Sequence, residues 1–450
     1  MTDFQRAKRI REISFALEQI MTGFGYTTLE MPIIETAELF LTKAGDQIIE
    51  KLFTFERYGR QLSLRPEFTA AAAYHYATQT KETVARWQFH GAVFEDYTQN
   101  GTSDYQRYSI GAELIGSNSI AADIEIVLLA LQGVISQNVN GWTLKVGHSG
   151  VIREALGRFN IDARTERFIL THRNLIQDGD VSAFRTLLDR YLPTKSELSL
   201  ETDDESLTQM LLATLGNGQI NNTMGGRTRE DIATRILRKH KQVNEREQID
   251  DVVDLITQWT KIHGQPASAF HELKQLLPDS TLLQQWENII SQLETYGIPL
   301  EQIEIHPDLV RNWDYYTGIV FEIVDREGNS LCGGGRYDEL IGLISDRVSV
   351  PAVGFAYDAT ALADAIKQTA NVSQRLFLHA QNADSSAIWQ WLHLIRQHDI
   401  PVTLLMPEQN IDPNDLQLSI DLSGRVIFNK NSYETNDIEK LIAEIRKYDR

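Results

Sequence analysis

The chain has 450 residues, a formal net charge of -19 and one cysteine, Cys332. Its length is typical of two or three domains, and its negative charge argues against non-specific attraction to polyanions. A single cysteine excludes an intrachain disulfide and fits a reducing compartment. No apolar run approaches the length of a membrane span, and Glu12 and Glu18 make the N-terminal segment unlike a signal or transit peptide. We therefore expect a cytoplasmic protein that does not associate with a membrane.

Apolar periodicity and turn residues predict the elements of the first 150 residues. In chain order these are a helix, a strand, a hairpin, a helix, a longer hairpin, a helix and a strand, at residues 4–21, 26–35, 53–64, 66–79, 87–116, 121–137 and 143–150. Pro32 favours an edge or interface position for its strand, and Tyr58-Gly59 is the expected turn of the first hairpin. Pro66 is expected to open the following helix, with Glu67 in its first turn.

The remainder of the chain divides by pattern into three parts. Residues 151–302 carry mainly helical patterns and are interpreted as an inserted helical region. Strand patterns resume at Ile303, pass a glycine run at 333–335 that predicts a tight turn, and reach the strand PAVGFAYD, whose Asp358 is expected to cap the next helix. After a linker, patterns in the order strand, helix, strand, strand, strand and helix predict a small α/β domain at 374–450.

The second strand of the longer hairpin has two unlike faces, because side chains alternate along a strand. One face is apolar and is expected in the core: Tyr108, Ile110, Ala112 and Leu114. The other face is small, polar and acidic: Arg107, Ser109, Gly111 and Glu113. This second face is suited to the floor of a ligand site, and a solvent-facing strand explains it equally well.

Six separated motifs resemble the class II aminoacyl-tRNA synthetase fold, and more narrowly the histidyl-tRNA synthetases, in that family's order. They are LEMPIIE, LRPEFTAA, the hairpin FHGAVFE…YSIGAELIG, VRNWDYYTGIVFE, GGGRYDELI and VPAVGFAYDATAL. The resemblance implies an α+β fold, in which a class II synthetase-like antiparallel sheet with helices is made from residues 1–150 and 303–368. The helical insertion 151–302 then interrupts this core, and residues 374–450 resemble an anticodon-binding domain.

The chain departs from the synthetases at the positions with which they bind ATP. The resemblance places Glu95 at the arginine that contacts the α-phosphate, Ala361 at the arginine over the γ-phosphate and Ser103 at a loop arginine. Charge-assisted contacts to phosphate contribute roughly 1.5–3 kcal/mol each, and a glutamate repels the phosphate instead. We therefore expect a protein that does not bind ATP tightly, uses no cofactor and is not an enzyme.

The amino-acid part of the family's pocket is retained. The resemblance implies a histidine site with Glu67 and Thr69 at the α-ammonium, Glu113 and Tyr316 at the imidazole, Arg311 at the carboxylate and Tyr337 at the wall. One position that is normally glutamine is Ser109. The chain is therefore expected to bind histidine without adenylating it.

Metal and tRNA sites are not expected from the sequence. His75, His90 and His148 lack the spacing of metal ligands, and His148 is expected to be a hydrogen-bonded core residue. Residues 373–450 contain eight Lys and Arg against eleven Asp and Glu, a balance of -3. An anticodon-reading module needs a basic face, so this balance argues against tRNA as a partner.

Histidine binding without ATP binding resembles the ATP phosphoribosyltransferase regulatory subunits, which are paralogues of the synthetases in histidine biosynthesis. The segment LKVGHSGVIREAL resembles the same family. The resemblance implies a homodimer, formed through the Pro32 motif, within a hetero-oligomer. That complex activates the short-form ATP phosphoribosyltransferase catalytic subunit and takes part in feedback inhibition, with histidine as effector. A divergent histidyl-tRNA synthetase or related amino-acid-activating enzyme stays open as an alternative, as does a stand-alone tRNA-sensing module.

Overall fold

The computed structural model of the chain divides into two compact units, Met1–Ile366 and Lys367–Arg450. The structure describes residues 3–41, 49–79, 83–96, 105–159, 161, 163–191, 248–309, 311, 315–345, 349–366, 375–380, 384–406, 409 and 411–448. None of the helices in these ranges combines the length and the apolar character that a membrane crossing requires.

The first unit contains both helices and strands. Its helices are α1 (Asp3–Gly23), α2 (Ala37–Leu41), α3 (Thr69–Gln79), α4 (Ile120–Ser136), α5 (Ser149–Gly157), α6 (Ala163–His172), α7 (Asn174–Gln177), α8 (Val181–Tyr191), α9 (Ile249–Trp259), α10 (Pro266–Leu276), α11 (Thr281–Thr295), α12 (Leu340–Ser345) and α13 (Ala359–Ala365). Its strands are β1 (Thr27–Thr28), β2 (Ile34–Thr36), β3 (Thr54–Arg57), β4 (Arg60–Leu64), β5 (Ala85–Phe94), β6 (Gln106–Ile115), β7 (Thr143–His148), β8 (Ile303–Ile305), β9 (Ile319–Val324), β10 (Ser330–Arg336) and β11 (Ala352–Asp358).

An eight-stranded sheet forms the centre of this unit, in the order β1-β5-β6-β11-β10-β9-β7-β8. The six inner strands are antiparallel, and the edge strands β1 and β8 pair in parallel with their neighbours. One apolar cluster joins the sheet to α1, α4, α5 and the helices α9 to α11. A second cluster packs α3 and α12 against the sheet. The sheet therefore has a helical layer on each side, with buried apolar side chains as the main driving force for the packing.

The longer predicted hairpin is β5 and β6. Its ladder runs without interruption from the pair Ala85 and Ile115 to the pair Phe94 and Gln106. The expected apolar face of β6 packs in the core, where Ile110 is fully buried. This long, regular ladder fixes where each side chain of the opposite face points, and that face is the one expected to form a ligand floor.

The shorter hairpin, β3 and β4, turns where predicted. Tyr58 and Gly59 have φ angles of 52° and 71°, and two successive residues with positive φ are typical of a two-residue turn whose twist matches that of the strands. β2 completes a three-stranded sheet with this hairpin. The strand predicted at 26–35 is instead two short strands, because Pro32 between them has no N–H to donate to a ladder.

Two local predictions are wrong. Helix α3 begins at Thr69 and not at Pro66, and Glu67 precedes it, accepting hydrogen bonds from the backbone N–H groups of Thr69 and Ala70 (2.8 Å for Ala70). The glycine run 333–335 is part of strand β10 and not a tight turn. A Cβ on the middle glycine of that run would lie 2.1 Å from a backbone oxygen of β11. Close approach of neighbouring strands, and not a reversal of the chain, therefore requires these glycines.

The described part of the predicted insertion is helical, as expected from its pattern. Helices α9 to α11 bury Trp259 and Trp286 in the main core. Residues 192–247 of this region lie outside the described residues.

The second unit has strands β12 (Leu376–His379), β13 (Val402–Leu404), β14 (Leu416–Ile420), β15 (Val426–Phe428) and β16 (Asn431–Tyr433), and helices α14 (Ser385–Arg396) and α15 (Ile438–Ile445). Its sheet order is β13-β12-β14-β15-β16. The sequence predicts all of these elements except β16, which follows a tight turn at Asn429 and Lys430, both with positive φ. Trp391 of α14 is fully buried, and its indole N–H donates to the carbonyl of Gly424 (2.8 Å). The predicted linker before this unit lies outside the described residues.

Candidate functional site

A cavity of about 310 Å³ lies on the polar face of β6 in the first unit. Strands β5, β6, β9, β10 and β11, the segment before α3 and the residues that precede β9 contribute its walls. The residues that line it include Glu67, Thr69, Glu95, Arg107, Ser109, Arg311, Tyr315, Tyr316, Glu322, Ser330, Tyr337 and Asp358. A ligand-binding cavity of this size accommodates a small molecule with few polar anchors. The sequence allowed the polar face of β6 to be either the floor of a ligand site or a solvent-exposed surface. In the structure this face lines a cavity.

One half of the cavity, the tyrosine half, consists of Glu67, Thr69, Tyr316 and Tyr337, with Glu113 behind them. Glu67 is held in place because its carboxyl accepts the first free N–H groups of α3. Such N–H groups have no partner within the helix and are stabilised by an acceptor at this position. The helix start therefore fixes the carboxyl at the cavity wall.

Glu113 is 1% exposed, and both of its oxygens are engaged. The hydroxyl of Thr69 donates to Oε1 (2.7 Å), and the hydroxyl of Tyr337 donates to Oε2 (2.5 Å). Glu113 is thus not itself on the cavity lining, and it holds two lining side chains in position. A Cβ on Gly354 of β11 would lie 1.5 Å from Oε2, so the bare glycine backbone makes room for the carboxyl.

The two carboxyls of the tyrosine half hold their protons at higher pH than usual. Burial raises the pKa of Glu67 to about 7 and the pKa of Glu113 to about 8. The charge of Glu95 also raises the pKa of Glu67, and the charge of Glu67 also raises the pKa of Glu113. Burial likewise raises the pKa of Tyr337 and of Tyr315. The physical cause is common to all four groups: a charged form is costly where protein replaces water.

Arg311 also lines the cavity, close enough to Tyr316 of the tyrosine half to act on it electrostatically. Its Nη1 lies 3.3 Å from Oε1 of Glu322, which also accepts a hydrogen bond from Ser330 (2.7 Å). The guanidinium lies against Gly333, where a Cβ would be 1.4 Å from Nη1. The first glycine of the run in β10 therefore provides the space in which Arg311 lies.

The other half of the cavity, the strand-end half, consists of Glu95, Arg107, Ser109 and Asp358. Glu95 is 4% exposed and directly follows β5. Arg107 lies 3.5 Å from Oδ2 of Asp358, and Oδ1 of Asp358 caps α13 as predicted. Ser109 lies opposite Asp358 in the ladder of β6 and β11. This half is therefore acidic, with one arginine that is already paired.

Ala361, which the resemblance places at an ATP-contacting arginine of the synthetases, lies in the first turn of α13. Its methyl group packs partly buried against the main core. Ser103 lies outside the described residues. Position 361 therefore adds no positive charge at the beginning of α13.

The structure brings the predicted histidine-binding residues together. Five of them line the cavity, namely Glu67, Thr69, Arg311, Tyr316 and Tyr337, and Glu113 lies directly behind two of these. The sequence analysis did not single out Tyr315, Glu322, Ser330 or the pair of Arg107 and Asp358. The adjacent tyrosines of DYYTG and the alternation of β9 were signals for two of them. The ion pair joins residues 251 positions apart in the chain and had no local signal.

His148 has the structural role that was expected for it. Its Nδ1 accepts hydrogen bonds from the backbone N–H groups of Gly150 (3.2 Å) and Val151 (3.3 Å), so the side chain caps α5. Burial lowers the pKa of His148 to about 4, which keeps the imidazole neutral and able to accept. Within the described ranges, no group of three or more His, Cys, Asp or Glu side chains is arranged to hold a metal ion.

Comparison with known proteins places this architecture in a family. A model of the histidyl-tRNA synthetase family matches residues 3–225 and 204–362. The curated histidine–tRNA ligase of Methanococcus vannielii is 28% identical over 356 residues, which cover 78% of this chain and 70% of that protein. The ligase of Methanococcus maripaludis strain C6 is 29% identical over 360 residues, with 78% and 71% covered.

Solved structures share the fold at lower identity. An "ATP phosphoribosyltransferase regulatory subunit/histidyl-tRNA synthetase" from Bacillus halodurans superposes with a TM-score of 0.63 at 21% identity, covering 90% of this chain and 91% of that one. The histidyl-tRNA synthetase of S. aureus superposes with a TM-score of 0.57 at 18% identity, covering 97% and 96%. These likenesses confirm the predicted α+β, class II synthetase-like fold. The chain belongs to the histidyl-tRNA synthetase family.

Proposed function

We propose that this chain is a regulatory subunit of ATP phosphoribosyltransferase, which binds free histidine in the cavity and does not activate it with ATP. The observation that carries the proposal is the charge of the strand-end half. Among the described residues that line the cavity, the basic side chains are Arg107 and Arg311, and each lies beside an acid. The acids of the lining are Glu67, Glu95, Glu322 and Asp358.

A triphosphate meets an unfavourable environment in such a cavity. Phosphate binding depends on fixed cationic donors that have not already been neutralised. Arg107 lies 3.5 Å from Asp358, which offsets its charge, and the carboxylates of Asp358 and Glu95 repel a phosphate placed beside it. Position 361 contributes only a methyl group against the core. The charge of this half therefore supports the absence of adenylation.

The tyrosine half supports histidine as the ligand. Free histidine carries an ammonium, a carboxylate and an imidazole, and the lining offers a partner for each. Glu67 is an acceptor for the ammonium, Arg311 is a bidentate donor for the carboxylate, and the hydroxyls of Tyr316 and Thr69 are within the same wall. Well-placed polar groups in a concave site are what an amino-acid site requires.

The regulatory role follows from binding without chemistry. A subunit that binds histidine changes the activity of a partner only if histidine has unequal affinity for two states of the assembly. We propose that the partner is the short-form catalytic subunit and that this chain joins it as a homodimer, since two-fold symmetric contacts are the commonest among oligomers. The structurally similar Bacillus halodurans protein is described as an ATP phosphoribosyltransferase regulatory subunit/histidyl-tRNA synthetase.

A second candidate is a histidine–tRNA ligase, and it is favoured by the curated names of the relatives at 28–29% identity. Histidine-dependent exchange of pyrophosphate into ATP separates the two candidates. The purified chain should show no exchange above a protein-free control, whereas a histidyl-tRNA synthetase measured in parallel should show it. Robust exchange by this chain would overturn the regulatory proposal.

A positive assay is also needed. Addition of the chain to a short-form ATP phosphoribosyltransferase should raise the catalytic rate, and histidine should then inhibit the complex. Arg311→Ala should leave activation intact while it weakens inhibition, because Arg311 lies inside the cavity. Equal inhibition of the wild-type and variant complexes would place the effector site elsewhere.

A further inference from the structure

Two carboxyls lie at one wall of the cavity, Glu67 in its lining and Glu113 behind it, and both accept hydrogen bonds from the same residue, Thr69. The backbone N–H of Thr69 donates to Glu67, and its hydroxyl donates to Glu113 (2.7 Å). In the described part of the chain, every hydrogen bond that these two carboxyls accept comes from a neutral donor: the N–H groups of Thr69 and Ala70 and the hydroxyls of Thr69 and Tyr337. Two negative charges so placed have no cation in hydrogen-bond contact to offset them.

The surroundings of the pair add no compensating charge. Helix α3 presents Thr69, the end of β10 presents Tyr337, the segment before β9 presents Tyr315 and Tyr316, and β11 presents the bare backbone of Gly354. The charge of Glu95 after β5 acts on Glu67 and also disfavours a second negative charge. Arg311, which lines the same cavity, acts on Tyr316 and is paired with Glu322. The ligand-free pair is therefore most stable when it keeps at least one proton.

We infer that a ligand with a cationic amine, on entering this cavity, drives a proton off the Glu67–Thr69–Glu113 pair, so that binding of an amino acid here is coupled to proton release. The ammonium of the ligand lies next to the two carboxyls and supplies the positive charge that their neutral hydrogen-bond donors lack. The second carboxyl can then ionise, and its proton passes to the solvent. The inference rests on the proposed function, because it takes histidine as the ligand of this cavity.

The direction of the pH effect follows from proton linkage. Ligand binding lowers the proton affinity of the pair, so raising the pH favours the ligand-bound state. The raised pKa values of the ligand-free pair, about 7 and about 8, place the effect between about pH 6.5 and 8.5. The two groups titrate as a coupled unit, so a release of about 0.5–1 proton per ligand is expected near pH 7.5. Affinity then rises roughly three- to tenfold per pH unit within this window.

The test is titration calorimetry of histidine into the full-length chain at pH 7.5, in phosphate and in Tris. These buffers differ in ionisation enthalpy, so the difference in observed heat counts the protons that are released. The wild-type chain alone decides the main question. Clear binding with no difference between the buffers overturns proton coupling and leaves the proposed function standing. No binding at all overturns the proposed function, and the inference with it.

Variants of the two carboxyls then show which group releases the proton. Glu113→Gln and Glu67→Gln remove one titrating group each, and in Glu67→Gln the new amide oxygen can still accept from the N–H groups of α3. Each should release at least twofold fewer protons than wild type, whereas Glu439→Gln, on an exposed side chain of the second unit, should match wild type. Histidine's own ionisation is common to all of these proteins and cancels in the comparison. Wild-type proton release in both cavity variants would place the source elsewhere and overturn the inference.

Discussion

The two halves of the cavity share the same strands and differ in their chemistry. Strand β6 carries Glu113 behind the tyrosine half and, four residues earlier, Ser109 in the strand-end half, about 13 Å away at the usual rise of a strand. In the tyrosine half, Glu113 accepts hydrogen bonds from two hydroxyls and Glu67 accepts from backbone N–H groups. In the strand-end half, an arginine is paired with an aspartate, and the acid Glu95 directly follows β5.

The difference shows that the frame of a site and its chemistry are separable. The ladder of β5 and β6 has ten regular pairs, and β11 pairs with β6 along the whole cavity floor. Substitutions at the strand ends therefore change the charge that a ligand meets without disturbing the backbone that positions the tyrosine half. The predictions that follow disturb one half and measure both.

The largest effect is expected for Arg311→Ala. The substitution removes the donor for the ligand's carboxylate and leaves Glu322 in the cavity without its arginine partner. Histidine affinity should fall by about 2–5 kcal/mol, or roughly 30-fold to several thousand-fold. Calorimetry on the isolated chain measures this change.

Arg107→Ala is the matched control from the strand-end half, and it should change histidine affinity by less than about fivefold. An equal loss in both variants would contradict the division of the cavity.

The second effect concerns stability and pH. The pKa of Glu113 is raised from 4.5 to about 8 in the folded chain, so the folded state keeps this proton to higher pH than the unfolded chain does. Its contribution to stability is complete below the unfolded pKa and is lost as the pH rises through about 8. The loss is on the order of 2–4 kcal/mol between pH 5 and pH 9.

Glu113→Gln should remove this part of the pH dependence. Denaturant unfolding of the ligand-free chain at several pH values, for wild type and variant, measures it. The stability of the variant should change less with pH than that of wild type between pH 6 and pH 9. A parallel course of the two curves would show that Glu113 keeps an ordinary pKa in the folded chain.

The sequence predicted the frame of the site better than its interior. The alternation along β6, the turn at Tyr58 and the cap at Asp358 each depend on a few neighbouring residues, and each is confirmed. The partners of Glu113 come from 44 positions before it and 224 after it. No local pattern encodes such contacts.

The glycine run in β10 shows the same limit. A turn and a crowded strand both require glycine, and the sequence offers no way to distinguish them. The cross-strand neighbours of the run distinguish them: Gly333 faces the guanidinium of Arg311, and Gly334 faces a backbone oxygen of β11. The pairing of β10 with its neighbours exists only once the sheet has formed, and it is this pairing that shows the glycines to lie in a strand and not in a turn.

Gly333→Ala is expected to have the third largest effect. A Cβ at this position would lie 1.4 Å from Nη1 of Arg311, so the guanidinium has to move. Because the group displaced is the end of a flexible side chain, stability should change by less than about 1 kcal/mol. Histidine affinity should fall by about 1–2 kcal/mol, or roughly five- to thirtyfold. Gly157→Ala, where a Cβ meets nothing within 4 Å, is the control and should leave affinity unchanged. If Gly333→Ala bound histidine normally, Arg311 would not be the carboxylate partner.

The smallest effect is expected in the strand-end half itself, for Glu95→Gln. The substitution keeps the size of the side chain and removes one negative charge from the wall that a triphosphate has to approach. Weak binding of ATP should become about 0.5–1 kcal/mol stronger, or roughly two- to fivefold, because the repulsion acts across a partly solvated cavity. Equilibrium dialysis with ATP at fixed ionic strength measures the change, with Glu439→Gln as the charge-matched control outside the cavity.

Histidine affinity should stay within about twofold, since the ligand lies in the tyrosine half. Pyrophosphate exchange should stay absent, because one lost acid does not replace the missing arginines. Tighter ATP binding in the control as well would show that net charge, and not this wall, keeps the nucleotide away.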